Sequence, residues 1–163
     1  MPPLAADERH AGAPAMAPAI ALHDQTGCTR RLSDYRGTLV VVYFYPQDDT
    51  PGCTIEGKEF RDLHEKFRAL ECAVIGVSTD SPGSHRAFAE KHGFPFTLLA
   101  DEAGEMARAF GVLRNGTAER ATFVIDRDGR VVRAFDDVTP RGHAKRVLNF
   151  VHALVESHRM IGG

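Results

Sequence analysis

One cysteine lies where a helix begins, and its sulfur could act there as a nucleophile. Cys53 follows a continuous apolar run at 39–45 and precedes a helical stripe of apolar residues that ends at Leu70. The first N–H groups of a helix have no intrahelical partner and carry a partial positive charge, which favours a thiolate over a thiol. The alternative is a buried cysteine that only fills space. The neighbouring residues must decide between these two interpretations.

The same segment also comes close to a phosphate-binding loop. Residues 52–58 have the spacing GxxxxGK between a predicted strand and a predicted helix. The next residue is Glu59, where that motif needs a Ser or Thr to hold magnesium, and its carboxylate would repel phosphates. Asp80 follows the next strand and could act as a second metal ligand, but it does not repair this defect. Nucleotide binding is therefore not assigned.

The composition is typical of one soluble globular domain. The chain has 163 residues, of which 43% are hydrophobic and 26% charged, and this excludes a disordered, collagen-like or coiled-coil protein. A net charge of −2 gives no basic surface for nucleic acid or a membrane. No apolar run approaches the ~20 residues of a membrane helix, and residues 1–18 lack the pattern of a signal peptide. We expect a cytoplasmic protein with no nucleic-acid or membrane partner.

The cysteine and histidine positions give no sign of a metal site. Cys28, Cys53 and Cys72 are odd in number and form no CxxC pair, which argues against a disulfide framework or a zinc ribbon. His85 and His92 are seven residues apart and could share a helix face, but no third ligand is evident, so both are expected to be solvated. No metal or organic cofactor is implied.

The order of predicted elements indicates an α/β fold with a mixed central sheet. The predicted elements are a hairpin at 18–32, a strand at 39–45, a helix at 53–70, a strand at 72–78, a helix at 82–92, a short helix at 102–110, hairpin strands at 121–125 and 131–135, and a last helix from Thr139. Two βαβ-type units followed by a hairpin and a helix predict helices on both faces of the sheet. This is the order of a thioredoxin-like fold with an N-terminal β-hairpin. We expect a flexible lead-in at 1–16 and a single domain at 17–160.

A longer motif around the cysteine resembles a known family. The spacing Pro46-x-x-x-Thr50-x-x-Cys53 is similar to the active-site signature of peroxiredoxins, and residues 43–62, YFYPQDDTPGCTIEGKEFRD, resemble the bacterioferritin-comigratory (Q-type) subfamily. The likeness continues through 77–81, 84–85, 94–96 and 120–126 and covers about residues 12–158. The length of this signature makes it far more specific than a lone CxxC.

The resemblance implies a thiol peroxidase that reduces hydrogen peroxide and organic hydroperoxides. The thiolate of Cys53 would attack one peroxide oxygen and become a sulfenic acid, while water or an alcohol leaves. Arg120 matches the active-site arginine of the family, which would stabilise the thiolate and bind the peroxide. Thr50 would donate its hydroxyl to the thiolate or accept a hydrogen bond from the peroxide, Pro46 would close the pocket without offering a donor, and Glu56 would orient the arginine.

The chain departs from the Q-type pattern in how the sulfenic acid is resolved. Many members carry a second cysteine five residues after the first, where this chain has Lys58, and others carry it on the next helix, 82–92, which has none here. A helix about 25 Å long separates Cys72 from the nucleophile, whereas a disulfide needs Cα atoms within about 7 Å. The position of Cys28 stays open. We therefore predict a one-cysteine cycle resolved by an external thiol such as thioredoxin, glutaredoxin or glutathione.

The missing second cysteine leaves another class of function open. The alternative is a thioredoxin-fold binding or chaperone-like protein whose peroxidase activity is weak or lost. Loss of the free thiol of Cys53 on adding one equivalent of peroxide would separate the two hypotheses. The resemblance suggests a monomer, and the preferred peroxide and the physiological reductant stay open.

Overall fold

A mixed sheet of seven strands organises the chain. The computed structural model describes residues 13–162, and in this range it contains nine strands and four α-helices. In chain order these are β1 (Ala21–Asp24), β2 (Thr29–Arg31), β3 (Leu39–Phe44), α1 (Pro51–Ala69), β4 (Cys72–Ser78), α2 (Pro82–His92), β5 (Thr97–Ala100), α3 (Glu105–Ala109), β6 (Leu113–Arg114), β7 (Thr117–Ala118), β8 (Ala121–Ile125), β9 (Val131–Phe135) and α4 (Pro140–Gly162).

The strand order is β2-β1-β5-β4-β3-β8-β9, and β6 and β7 form a separate small hairpin. Strand β3 is parallel to β4, and β4 is parallel to β5, while the other neighbours are antiparallel. The predicted mixed sheet, with its N-terminal hairpin and its antiparallel β8–β9 pair, is confirmed. Strand β3 is an interior strand of this sheet. Functional sites of open α/β folds are found just beyond the carboxyl ends of such strands.

The central strand β3 is buried on both faces, as its continuous apolar sequence predicts. Val41 and Tyr43 point to the face that α1 and α4 cover, whereas Val42 and Phe44 point to the opposite face with α3. Because successive side chains of a strand alternate, one apolar run supplies both cores. Helices therefore cover both faces, and β3 is held rigidly where it leads into α1.

Two elements are missing from the sequence-based prediction. Strand β5 was not among the predicted elements, because its four residues show no polar alternation; all but the first are buried. The β6–β7 hairpin turns at Asn115 and Gly116, whose φ angles are 52° and 81°. An Asn-Gly pair favours this type of turn, so the signal was present in the sequence. The predicted short helix starts later than expected, at Glu105.

The two outer strands of the sheet differ in what lies beside them. Strand β2 is three residues long, and all three are exposed. At the other edge, the N–H of Val131 donates to the carbonyl of Ala15 at 2.9 Å, and Met16 forms an isolated bridge with Arg130. Residues 1–12, most of the predicted lead-in, lie outside the described residues. Within 13–162, none of the helices combines the length and the apolar character needed to span a membrane.

Candidate active site

The predicted position of Cys53 in the first turn of α1 is confirmed. Thr50 is the N-cap residue in extended conformation, Pro51 follows it, and the N–H of Thr54 donates to the carbonyl of Thr50 at 2.9 Å. Pro is favoured at this position because it needs no N–H and its φ already suits a helix. The side chain of Cys53 is only 2% exposed. Cys53 is therefore the third residue of the helix, at its N-terminus, and is shielded from bulk water.

One guanidinium joins the cysteine to a buried carboxyl group. Arg120 directly precedes β8, whose first residue pairs with Phe44 at the end of β3, so the arginine lies at the same edge of the sheet as Cys53. Its Nη2 donates to Cys53 Sγ at 3.4 Å, and its Nη1 donates to Glu56 Oε1 at 2.7 Å. Three residues that the sequence singled out are thus brought into one contact chain.

The charge states of Glu56 and Arg120 are set by burial and by the groups that each one contacts. Glu56 is fully buried, and burial raises the pKa of its carboxyl to about 7, although Arg120 acts in the opposite direction. Burial lowers the pKa of Arg120, but the neighbouring Glu56 and Cys53 outweigh it and raise the pKa above its usual value. The arginine is therefore a permanent cation, while the carboxyl can change its charge near neutral pH.

Behind the carboxyl lies a histidine that the sequence analysis did not select. His143 is 1% exposed, and its Nε2 lies 2.7 Å from Thr122 Oγ1 and 4.0 Å from Glu56 Oε2. Burial, followed by the nearby Arg146 and Arg120, lowers the pKa of His143 to about 4, so the ring is neutral at pH 7. Glu56 Oε2 and His143 Nδ1 are both buried without a hydrogen-bond partner. No spacing in the sequence marks this long-range pair.

Thr50 and Pro46 lie in the segment that leads into α1, and no hydrogen bond joins either to the sulfur of Cys53 among the described residues. The hydroxyl of Thr50 donates to the carbonyl of Gln47 at 2.9 Å. Its proton is therefore engaged, and its oxygen lone pairs remain to accept a hydrogen bond from a ligand. Pro46 is half-buried and directly follows Tyr45, whose N–H donates to Val77 at 3.1 Å. The chain thus leaves the sheet at Pro46, and helix α1 begins after Thr50.

The segment that resembled a phosphate-binding loop has other roles. A Cβ on Gly57 would lie 2.6 Å from the ring of Phe94, so this glycine allows close packing of α1. Glu59 Oε1 accepts the N–H of Gly142 at 2.7 Å, beside the non-helical residues near the start of α4. Lys58 is exposed. This glycine and this carboxylate serve packing and a helix start, which agrees with rejecting a nucleotide site.

A second buried polar network holds the loop before Cys53. His85 was expected to be solvated, and this is wrong: it is fully buried, with Nδ1 2.7 Å from Asp48 Oδ2 and Nε2 2.9 Å from the carbonyl of Leu99. Tyr45 donates its hydroxyl to Asp48 Oδ1 at 2.6 Å, and Ser84 donates to Asp48 Oδ2 at 2.8 Å. Burial of a polar group requires such partners. The network therefore ties the loop to α2 and β5.

This network includes three side chains that approach the geometry of a metal site. Ligand atoms of Asp48, Asp80 and His85 all lie within 4.8 Å of one another. However, Asp80 Oδ2 already accepts the N–H of Asp48 at 2.8 Å and a hydrogen bond from Ser78. Because internal hydrogen bonds occupy these atoms, the cluster is explained as loop support. Asp49, with φ of 59°, adds an exposed contact to Lys91 Nζ at 2.9 Å.

The other two cysteines lie far from the site. Cys72 pairs with Leu39, five residues before Phe44, so it lies about 17 Å along the sheet from the end of β3. It is buried, and burial raises the pKa of its thiol to about 12. Cys28 is exposed, and its carbonyl accepts the N–H of Asp24 in the first hairpin.

The strand pairing gives the separation of Cys28 from the site. Asp24 pairs with Leu99, Leu99 with Val77, and Val77 with Phe44. Together with the step from Cys28 to Asp24, these are four strand spacings, or about 19 Å. Cys28 and Cys72 thus lie about 19 Å and about 17 Å from Phe44, and Cys53 contacts Arg120 beside that same strand end. Because a disulfide needs Cα atoms within about 7 Å, neither cysteine is placed to form one with Cys53.

Comparisons with known proteins identify the family of the chain. Residues 14–134 match the model of the AhpC/TSA family. The chain is 42% identical over 148 residues to peroxiredoxin Bcp of Bacillus subtilis, and the match covers 86% of this chain and 94% of that protein. It is 43% identical over 141 residues to the chloroplastic peroxiredoxin Q of Populus jackii, covering 84% of this chain and 66% of that protein.

Solved structures show the same likeness. Peroxiredoxin Q of Xanthomonas campestris superposes with a TM-score of 0.83 at 36% identity, covering 88% of this chain and 99% of that one. Peroxidoxin BcpB of Mycobacterium tuberculosis superposes with a TM-score of 0.80 at 38% identity, covering 85% and 94%.

Proposed function

The chain belongs to the AhpC/TSA family and is a thiol-dependent peroxidase, and we propose that Cys53 is its nucleophile in a one-cysteine cycle. The observation that carries this proposal is the contact of Arg120 Nη2 with Cys53 Sγ at 3.4 Å, in the first turn of a helix. A permanent cation and free N–H groups both favour the thiolate, which is the reactive form.

In the first half of the cycle, the Cys53 thiolate attacks the terminal oxygen of ROOH. The S–O bond forms as the O–O bond breaks, the sulfur becomes a sulfenic acid, and the RO⁻ that leaves takes a proton to become ROH. Arg120 holds the peroxide and the developing negative charge through its remaining N–H groups. The free lone pairs of Thr50 accept the O–H of the peroxide, and Pro46 offers no competing donor.

In the second half of the cycle, an external thiol must resolve the sulfenic acid. The separation of Cys28 and Cys72 from Cys53 supports this, and Lys58 occupies the position where a nearby resolving sulfur would lie. A first thiol forms a mixed disulfide and releases water, and a second thiol returns Cys53 to the thiolate. Peroxiredoxins use thiol partners such as thioredoxin, and we propose thioredoxin, glutaredoxin or glutathione here.

Three further properties are proposed: the range of peroxides, the compartment and the oligomeric state. One solved relative, the bacterioferritin comigratory protein of Xanthomonas campestris, is described for its alkyl peroxide reduction activity. We infer that this chain likewise accepts organic hydroperoxides besides hydrogen peroxide. Cys28, Cys53 and Cys72 are all free thiols, which supports a reducing compartment, the cytoplasm. We also propose that the enzyme acts as a monomer.

The test measures oxidation and recycling separately. One equivalent of hydrogen peroxide or cumene hydroperoxide is added to the reduced protein, and free thiols are located by peptide mapping. We expect loss of the Cys53 thiol alone in the wild type, in Cys28→Ser and in Cys72→Ser, and no reaction in Cys53→Ser. Turnover is then assayed with thioredoxin, with glutaredoxin and glutathione, and with a small dithiol. Rapid peroxide consumption by Cys53→Ser would disprove the proposal.

A further inference from the structure

Cys53 and Glu56 compete for a single cation. Arg120 places one nitrogen 3.4 Å from the sulfur and the other 2.7 Å from Glu56 Oε1. A thiolate and a carboxylate would together place two negative charges against one positive charge in a site where Glu56 is fully and Cys53 almost fully buried. Because unbalanced buried charge is strongly unfavourable, ionisation of one of these groups opposes ionisation of the other.

No other charge near Glu56 relieves this competition among the described residues. His143 of α4 faces Oε2 but is neutral at pH 7, since burial, Arg146 and Arg120 lower its pKa to about 4. Tyr43 of β3 is fully buried with an unpartnered hydroxyl, and burial raises its pKa, so it is neutral as well. Glu59, on the same helix, adds a negative charge that raises the pKa of Glu56 further.

The free oxygen of Glu56 points to the protonated form. Oε1 is held by Arg120, whereas Oε2 is buried without a partner. A carboxylate would leave this charged oxygen unsatisfied, while a carboxylic acid carries a proton there. The neutral ring of His143, whose Nε2 is 4.0 Å away, faces this oxygen without a hydrogen bond to it.

We propose that Glu56 stores a proton while Cys53 is a thiolate and gives it up when Cys53 becomes a sulfenic acid. This inference rests on the proposed role of Cys53. With R as hydrogen or an alkyl group, the balanced step is Cys53–S⁻ + Glu56–COOH + ROOH → Cys53–SOH + Glu56–COO⁻ + ROH. The two electrons pass from sulfur to the peroxide. The proton of the Glu56 carboxyl goes to the leaving oxygen, so none is taken up from solution. Arg120 then has one anionic partner both before and after oxidation.

Glu56 would thus be a positioning residue that acts on the sulfur through Arg120. In the reduced enzyme, the neutral carboxyl leaves the guanidinium charge to the thiolate. After oxidation, the carboxylate takes over this charge, since a sulfenic acid is uncharged. Balancing the cation in both states avoids a large reorganisation of the buried site during turnover.

The first test is infrared difference spectroscopy of the wild-type enzyme near pH 7, with glutamate labelled at the carboxyl carbon. Oxidation by one equivalent of peroxide should remove one carboxylic acid C=O band and add one carboxylate band. The change should be absent in Glu56→Gln, which keeps an oxygen for Arg120, and retained in Glu65→Gln. Glu65 is the matched control, because it is an exposed glutamate of the same helix that pairs with Arg68 and not with Arg120.

The second test counts protons with an indicator dye in weakly buffered solution near pH 7. The balanced step predicts no net uptake per sulfenic acid in the wild type and in Glu65→Gln, but an uptake of about one proton in Glu56→Gln, which has no proton to give. Sulfenic acid is measured in the same samples by dimedone trapping, so each proton count refers to oxidised protein only.

The outcomes separate the inference from the proposed function. Failure of Cys53 to form a sulfenic acid would disprove the proposed function itself. Formation of the sulfenic acid with an unchanged acid band, or with equal proton uptake in the wild type and Glu56→Gln, would overturn the proton store alone. If Glu56→Gln does not fold, the labelled wild-type spectrum still decides the question.

Discussion

Gly52 lies directly against the guanidinium of Arg120, with no side chain between them. A Cβ added to Gly52 would stand 3.1 Å from Arg120 Nη2 and 3.4 Å from Pro140 Cγ. The same nitrogen donates to Cys53 Sγ at 3.4 Å. The missing side chain therefore leaves room for the hydrogen bond to the sulfur, and this gives a test of Arg120 that leaves the arginine in place.

Gly52→Ala should slow the reaction with peroxide while the fold stays intact. The new methyl crowds the flexible end of Arg120 and weakens its hydrogen bond to the sulfur; because a charge-assisted hydrogen bond contributes about 1.5–3 kcal/mol, the rate should fall by up to roughly 100-fold. Stopped-flow oxidation of Cys53 measures the rate. Gly83→Ala is the matched control, because Gly83 also follows a proline at a helix start but has only Ser81 Oγ nearby, at 3.9 Å. Equal slowing in both variants would argue against displacement of Arg120.

Arg120→Met should reduce both the thiolate absorbance at pH 7 and the rate of peroxide attack, the latter by about 100-fold or more. It should also destabilise the protein modestly, because Glu56 Oε1 loses its hydrogen-bond donor. The double variant Arg120→Met/Glu56→Gln should be as slow as Arg120→Met, since no cation is restored. Urea unfolding and stopped-flow kinetics measure the two effects. Wild-type thiolate absorbance in Arg120→Met would contradict the assigned role.

One equivalent of peroxide should leave Cys53 as a sulfenic acid that dimedone traps, without an intramolecular disulfide. Lacking an internal partner, it should be further oxidised to sulfinic acid under excess peroxide. Lys58→Cys should shorten the lifetime of the sulfenic acid, since a sulfur five residues on reaches Cys53 when the first turns of α1 unwind. Mass spectrometry of tryptic peptides reads each product. A quantitative Cys28–Cys53 disulfide in the wild type would refute this cycle.

Stability should respond to pH with opposite signs from Glu56 and His143. Glu56 has a pKa of about 7 in the fold against 4.5 normally, so the free energy of unfolding falls by up to about 3 kcal/mol as the pH rises through this window. His143 has a pKa of about 4 against 6.5, so stability rises by a similar amount as the pH rises through that range. Between about pH 4.5 and 6.5, these two contributions largely cancel.

Single substitutions should expose each contribution to this pH dependence. Urea unfolding of Glu56→Gln from pH 4 to 7 should show stability that rises with pH, because only His143 remains. His143→Asn should show the reverse slope, because only Glu56 remains. Parallel pH profiles in the wild type and both variants would contradict the two shifted pKa values.

The sequence identified the three residues of the contact chain but not the buried histidines. Cys53, Arg120 and Glu56 were selected because they match the family motif, although Arg120 is far in sequence from both of its partners. His143 and His85 were missed because the residues that hydrogen-bond to them inside the protein belong to other elements of the fold. Neither periodicity nor motif spacing reports such pairs, so His85 was wrongly expected to be solvated.

The strands and helices also show that local sequence predicts only the elements that depend on neighbouring residues. Strand β3 and helix α1 have strong patterns, since a run of β-branched residues and a helical stripe each depend on neighbours in sequence. Strand β5 is only four residues long, and its place between β1 and β4 is set by the sheet. Short strands of this kind are defined by their partners, so tertiary pairing rather than local sequence decides them.

The two edge strands of the sheet affect whether the protein aggregates at high concentration. An open strand edge is a template on which another molecule can add its own strand, which leads to aggregation. Here β2 offers only three residues and includes Arg30 and Arg31, while residues 15–17 of the chain occupy the start of the β9 edge. Short length, positive charge and a self-supplied partner oppose growth from either side. These edges therefore favour a protein that stays dispersed at high concentration.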